Sequence, residues 1–272
     1  MTRTTSTMHT VTSPDGTPIA YRRSGSGPPL LLVHGTTADH TRWAGISPAF
    51  EEHFTVYAMD RRGRGASGDG PVYSLPHEGE DVAAVVDALG EPVSLLGHSY
   101  GALCALEGAM RTSNLRTLML YEPPLPGGDE IVPPETLARL DGMIARGERE
   151  AALITFFREV VGVPETQLDA VRSHPAWPGR LAAAHTLGRE TRVEAEYELD
   201  FDRLRAFRIP TLFLLGGASP AAFHTATRRL HAAMPASRIH VLEGQQHMAM
   251  DTAPEAFVAA VRQFARSGGA DG

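Results

Sequence analysis

Val93-Ser94-Leu95-Leu96-Gly97-His98-Ser99-Tyr100-Gly101 joins an apolar, strand-like run to the pattern G-x-S-x-G, and a helix-like run from Ala102 to Met110 follows. In that setting a serine is held on a tight strand-to-helix turn with its hydroxyl exposed. Gly97 and Gly101 have a steric reason to be small, because the turn brings the strand and helix backbones close together. The helix start behind Ser99 also directs free N–H groups and a partial positive charge toward any oxyanion formed there. In a chain with 27 glycines the bare pattern means little. Between a strand and a helix it is specific.

Outward from this turn, strands and helices alternate. Thr10 to Thr12 and Pro18 to Arg22 read as short strands around the turn Ser13-Pro14-Asp15-Gly16. The apolar run Pro28 to Val33 ends at His34-Gly35-Thr36-Thr37, and Phe54 to Met59 ends at Asp60. Unbroken apolar runs suit strands covered on both faces, as in a parallel sheet between helix layers. Trp43 to Glu51 and Glu78 to Leu89 read as helices, and Leu115 to Tyr121 as the next strand. From Pro133 to about Glu196 only helix-period segments occur, near Glu135–Arg146, Glu148–Val161, Glu165–Ser173 and Pro178–Arg192. Ile209 to Leu215 restores a strand, Ala221 to Ala233 a helix and Arg238 to Leu242 the last strand. Thr252-Ala253-Pro254-Glu255 opens the final helix with capping-box spacing. The alternation implies right-handed crossovers and one doubly wound α/β sheet carrying a helical insertion.

The chain has 272 residues and a net charge of −7, which suits one large α/β domain with an insertion. No Lys/Arg cluster faces a run of aromatics, so nucleic acid is not an expected partner. Arg61, Arg62 and Arg64 form the densest basic group, and their glycine-rich turn favours a structural loop over a phosphate site. Cys104 is the only cysteine, which excludes an intramolecular disulfide and a cysteine-based metal cluster. Its place behind the turn favours a small, buried apolar role. Met1 to Thr10 is polar and lacks the apolar core of a secretion signal, and no run approaches transmembrane length. The expectation is a cytoplasmic protein that does not associate with membranes. Ser267 to Gly272 reads as a disordered tail.

Three features converge on one edge of the expected sheet. Ser99 is the candidate nucleophile, and a serine hydroxyl, barely ionised at neutral pH, needs an adjacent base. Among twelve histidines, His247 lies just after the last strand and before the final helix. Loops at the carboxyl edge of a parallel sheet are where catalytic groups gather. The turn His34-Gly35-Thr36-Thr37 can offer the Thr36 N–H, and the elbow can offer that of Tyr100, to a developing oxyanion. His34 reads as support for its turn. His98 reads as a pocket residue whose ring points away from Ser99.

His34-Gly35, Asp60-Arg61-Arg62-Gly63-Arg64-Gly65, Gly97-His98-Ser99-Tyr100-Gly101 and Gly244-Gln245-Gln246-His247 together resemble the α/β-hydrolase superfamily, over nearly the whole chain. The resemblance implies an eight-stranded, mostly parallel, doubly wound sheet, a helical lid over the active site and a Ser–acid–His triad. It also implies that no metal or organic cofactor is required. On this reading residues 1–124 and 206–272 form the core, and residues 125–205 form the lid. A serine at position 99 disfavours the epoxide hydrolase and haloalkane dehalogenase branches, which carry aspartate there.

One position departs from the family. The acid usually sits in the turn after the seventh strand, here Leu214-Leu215-Gly216-Gly217-Ala218-Ser219-Pro220, and position 218 is alanine. Without an acid, the histidine loses the partner that fixes its tautomer, a loss that can cost about four orders of magnitude in turnover. Some members place the acid after the sixth strand, where this chain has Glu122. The competing readings are Glu122 as the triad acid, Glu122 as a carboxylate pairing with a lid arginine, Ala218 as an introduced disabling change, and a Ser–His dyad. Asp200 and Asp202 are weaker candidates, and Asp251 reads as support for the last helix.

The leading expectation is hydrolysis of an ester, lactone or thioester of a small apolar molecule through an acyl-Ser99 intermediate, with His247 as base. The alternatives are a lyase or cyclase acting on a natural product through the same Ser–His site, and a small-molecule receptor without catalysis. His34, Gly35, His98, Phe157 and Trp177 are candidates to line the substrate pocket. At helical spacing, Met143, Ile144, Leu153, Phe156, Phe157, Trp177 and Leu181 also fit the lid's own core. The expected partner is a small-molecule substrate; the sequence carries no sign of oligomeric state.

Overall fold

Residues 6–125 and 132–268 are described by the structure, a computed structural model. In chain order the first half contains β1 (Thr7–Thr12), β2 (Pro18–Gly25), β3 (Pro29–Val33), α1 (Ser47–Glu51), β4 (Thr55–Met59), α2 (Leu75–Ala88), β5 (Val93–His98), α3 (Tyr100–Ala109) and β6 (Leu115–Tyr121). Six helices follow: α4 (Pro134–Ala145), α5 (Arg149–Glu159), α6 (Leu168–Ser173), α7 (Trp177–Ala183), α8 (Leu187–Glu196) and α9 (Phe201–Ala206). The chain then completes the sheet with β7 (Thr211–Gly216), α10 (Ala221–Ala233), β8 (Ser237–Leu242), α11 (Ala249–Thr252) and α12 (Pro254–Ser267). The eight strands lie in the order β1-β2-β4-β3-β5-β6-β7-β8. β1 and β2 run antiparallel to each other, β2 runs antiparallel to β4, and every other pair is parallel. This is the mostly parallel, doubly wound α/β sheet that the strand patterning predicts.

Both faces of the sheet are covered, which explains why β3, β4 and β5 read as unbroken apolar runs. Leu31 and Val33 of β3 point into the cluster that includes Leu103 and Leu106 of α3 and Val82 and Val86 of α2. Leu30 and Leu32 point the other way, toward Trp43, Phe50, Phe257 and Val261. Cys104 is fully buried in the first cluster, and burial pushes its thiol pKa up, so it behaves as a small apolar side chain.

Local chemistry shifts several predicted boundaries. The helix expected over Trp43 to Glu51 divides into a 3-10 turn, His40–Trp43, and α1, because Pro48 fits only a first helical turn. α2 starts three residues early, at a cap in which the Ser74 hydroxyl accepts from the His77 N–H. The segment Pro178–Arg192 breaks at a 3-10 turn, Ala184–Thr186. Ser267 closes α12, and Gly268 ends it in the left-handed region at φ 60°. The rest of the tail expected from Ser267 to Gly272 lies outside the described residues. Among the described residues no helix is long and apolar enough to cross a membrane.

Between β6 and β7, α4 to α8 build their own apolar cluster around Leu140, Leu153, Phe156 and Leu187. Buried ion pairs fasten it to the sheet. Arg61, Arg62 and Arg64 are all buried in the loop after β4. Arg61 donates to Glu78 at 2.6 and 3.0 Å and also reaches Glu190 of α8, and Arg64 reaches the same Glu190. Arg62 donates to Asp81 at 2.6 and 2.7 Å and to Asp15 at 2.9 Å. The arginine cluster is therefore a structural hub. Removing one carboxylate from such a buried set leaves cations without compensation. Glu190→Ala should lower stability by on the order of 3 kcal/mol. Glu165→Ala, which breaks the exposed pair with Arg158, should leave the urea unfolding midpoint unchanged within error.

Candidate active site

Five loops at the carboxyl edge of the sheet meet above β3, β5, β6, β7 and β8. At the elbow Ser99 has φ 56° and ψ −130°, a conformation that L-residues rarely adopt. A Cβ on Gly97 would sit 2.5 Å from the Gly101 carbonyl oxygen, and one on Gly101 would sit 2.2 Å from that of His34. The glycines are thus required by close approach, and they admit the β3 loop as well as the helix. Gly35 belongs to the same contact, since a Cβ there would lie 3.0 Å from the Ser99 Cβ.

The β3 loop carries Thr36, whose N–H makes no hydrogen bond among the described residues, beside Thr37 at φ 51°. Tyr100 is the first residue of α3, so its N–H has no partner within the helix. Arg61 braces this corner from behind. Its Nη1 donates to the His34 and Gly35 carbonyls at 3.4 and 3.3 Å, and its guanidinium lies 4.7 Å above the Tyr100 ring. His34 is fully buried, accepts from the Arg61 N–H at 3.2 Å, and does not line the cavity. That corrects its candidacy as a substrate-lining residue, because its ring is spent on the turn.

Glu122, the residue after β6, is fully buried at φ 46°. Its Oε2 lies 2.6 Å from His247 Nδ1, while Oε1 accepts from the Gly216 N–H at 2.7 Å and the Ser219 hydroxyl at 2.5 Å. Ala218 is exposed one residue away. The family's usual turn therefore contributes hydrogen-bond donors, and the carboxylate comes from the neighbouring strand. Among the described residues Glu122 makes no pair with an arginine of the helical segment, and Asp200 caps α9. Thr37, Ser99 and Glu122 are the non-glycine residues with positive φ among those described. Strain of this kind costs roughly 1–3 kcal/mol per residue and persists only where the surroundings enforce it.

The His247 ring stacks on Phe223 at 4.5 Å, and its backbone carbonyl accepts from His98 Nε2 at 3.0 Å. Burial, with the cation of a charged His247 as a second cause, depresses the His98 pKa well below its ordinary value, and burial does the same for His34. Tyr121 fixes the loop further, its hydroxyl donating to the Gln246 carbonyl and accepting from the Ala249 N–H.

Ser99, Thr36 and His247 line a cavity of about 500 Å³ walled by Leu125, Phe156, Val160 and Phe223. Glu194 of α8 also faces it, its pKa pushed up to about 8 by burial and the neighbouring Glu190. A smaller recess of about 40 Å³ shares Ser99, Thr36 and His247, and adds Gly35, His98, Phe157, Arg42 and Arg180. Trp177, expected to line the pocket, packs against the apolar cluster of the helical segment instead. Asp251 does not merely support the last helix, for it takes both Arg42 Nη atoms at 2.8 Å. Sequence reasoning passed over Ser219, Phe223, Arg42 and Arg180. Ser219 was findable, as a hydroxyl in the turn expected to hold the acid. Asp39, His40 and Asp60 form a cluster of metal-ligating types, but Asp60 already accepts from the His40 and Ala66 N–H groups at 2.8 and 2.9 Å.

The alpha/beta hydrolase family model matches residues 30–260. The chain belongs to that family. A pimeloyl-[acyl-carrier protein] methyl ester esterase of Aeromonas hydrophila is 29% identical over 254 residues, covering 90% of this chain and 98% of the relative. Among solved structures, an alpha/beta hydrolase from Sphaerobacter thermophilus is 40% identical, with TM-score 0.82 over 94% of this chain and 99% of its own. An esterase from a Rhodococcus species is 26% identical, with TM-score 0.78 over 96% of this chain and 98% of its own. This alpha/beta hydrolase is accordingly an enzyme.

The depressed histidines give this hydrolase a pH-dependent stability. His98 stays neutral in the fold, whereas the unfolded chain takes up its proton as pH falls through the ordinary value of 6.5. Stability is then fully present above that value and declines below it, by about 1.4 kcal/mol per pH unit per group. Urea unfolding at pH 7 and pH 5 should show the decline. His98→Gln, which keeps a donor for the His247 carbonyl, should shrink it by about that slope.

Proposed function

We propose that the protein hydrolyses a small ester, lactone or thioester through an acyl-Ser99 intermediate, with Ser99, His247 and Glu122 as a catalytic triad. The single observation that carries this reading is the 2.6 Å contact between Glu122 Oε2 and His247 Nδ1, on a histidine that shares a cavity wall with Ser99. With Nδ1–H donated to a buried carboxylate, Nε2 is the free, basic nitrogen.

Nε2 takes the Ser99 proton as Oγ attacks the substrate carbonyl carbon. The N–H groups of Thr36 and Tyr100 receive the oxyanion, and fixed donors of this kind contribute several kcal/mol. The imidazolium, stabilised by Glu122, passes its proton to the leaving oxygen or sulfur. Water, deprotonated by the same nitrogen, then attacks the acyl carbon, and the imidazolium returns the proton to Ser99 Oγ as the acid leaves. The helical segment α4 to α8 acts as a lid whose Phe156 and Val160 supply apolar wall for the substrate. The relative named as a methyl ester esterase supports the ester class. A carboxylate on His247 favours hydrolysis over the lyase and receptor alternatives, neither of which requires a complete triad.

Purified protein should cleave short p-nitrophenyl esters, and a serine-directed fluorophosphonate should label Ser99. Folded protein with no label at that residue would overturn the assignment. Glu122→Gln should leave KM near its original value and reduce kcat by roughly three to four orders of magnitude. Ser99→Ala should abolish acyl-enzyme formation altogether.

A further inference from the structure

The recess beside Ser99 is flanked by two buried guanidiniums, Arg42 and Arg180, 3% and 5% exposed. They differ in one respect. Arg42 is neutralised by the two-point contact with Asp251. Arg180, on α7, has no side-chain hydrogen bond or ion pair among the described residues; its Nε, like that of Arg42, is a buried polar atom without a partner. Its guanidinium rests 5.0 Å above the Phe157 ring. The carboxylates whose charge reaches it are Asp251, already held by Arg42, and Asp39, which caps the 3-10 turn by accepting from the Thr41 N–H at 2.9 Å.

Burial, reinforced by the Arg42 cation, pulls the Arg180 pKa down to about 9, so the group remains charged at neutral pH. Among the described residues no acidic side chain lines the recess, whose remaining wall includes Phe156, Phe157, Val161 and Met248. A buried charge without a partner is costly, and an anion that pairs with it recovers that cost. The space is about 40 Å³. So small a space suits a compact anionic group. A planar guanidinium matches a carboxylate of that size with two parallel N–H donors.

From the unpaired Arg180 in a recess that opens onto Ser99, we propose that this hydrolase takes esters bearing a free carboxylate a few atoms from the scissile carbonyl. The recess holds the carboxylate, and the larger cavity holds the apolar remainder. The inference rests on Ser99 as the nucleophile and adds the substrate class.

Two substrate pairs test it. Monomethyl succinate against methyl butyrate puts the charge on the acyl side, and acetoxyacetate against ethyl acetate puts it on the alcohol side. With each kcat/KM normalised to the rate of hydroxide-catalysed hydrolysis, one pair should favour the acid by about tenfold or more. That ratio should fall toward one in Arg180→Met and be partly retained in Arg180→Lys. Ratios near one for both pairs, with the neutral esters hydrolysed, would overturn the subsite and leave the esterase reading intact. Should no ester be hydrolysed, the esterase reading fails, and calorimetric titration with succinate decides the subsite alone. Binding that Arg180→Lys weakens supports it, and absence of binding overturns it. If Arg180→Met does not fold, competitive inhibition of neutral-ester hydrolysis by succinate, compared between the original chain and Arg180→Lys, reads the same interaction.

Discussion

The Glu122 carboxylate ties three strand ends together. One oxygen holds the imidazole that follows β8, and the other collects a backbone N–H and a hydroxyl from the turn after β7. All of these groups are buried, so each would suffer the full cost of an unsatisfied polar atom if the carboxylate were absent. A buried carboxylate with three donors is also fixed in orientation, and it fixes theirs. The position of His247 relative to Ser99 follows from that one clamp together with the ring of Phe223 and the Tyr121 hydroxyl.

Steric crowding does the same for the other half of the site. Gly101 lets α3 touch the backbone of the β3 loop, Gly35 lets that loop pass Ser99, and Arg61 holds the loop's carbonyls from the far side. The backbone at Thr37, Ser99 and Glu122 is forced into the left-handed half of φ, and each of these loops presents a group toward the shared cavity or toward His247. Strain concentrated in this way is sustained by the packed sheet beneath it.

Much of this was legible in the chain. The apolar runs of β3 to β6 gave the sheet away, because burial on both faces leaves no alternation, and G-x-S-x-G between strand and helix placed the serine. The late Gly244 to His247 segment placed the histidine by order alone. Glu122 was legible only as one choice among several, since reach across two strand ends depends on side-chain geometry that linear spacing does not encode. Arg42 and Arg180 were invisible for a similar reason. Each is an unremarkable arginine in a helical turn, and its meaning lies in which partners the tertiary fold brings or withholds. As pocket-lining candidates His34 and Trp177 failed in the opposite direction, while the alternative readings, His34 as support for its turn and Trp177 as part of the helical segment's core, agree with the packing.

The ion pairs from Arg61 and Arg64 to Glu190 have a mechanical corollary. They rivet the C-terminal part of the helical segment to the sheet, at a point where water cannot compete for the charges. Moving α8 off the sheet would uncover three buried charges at once, whereas α5, which contributes Phe156 and Val160 to the cavity wall, makes only solvent-accessible ion pairs among the described residues.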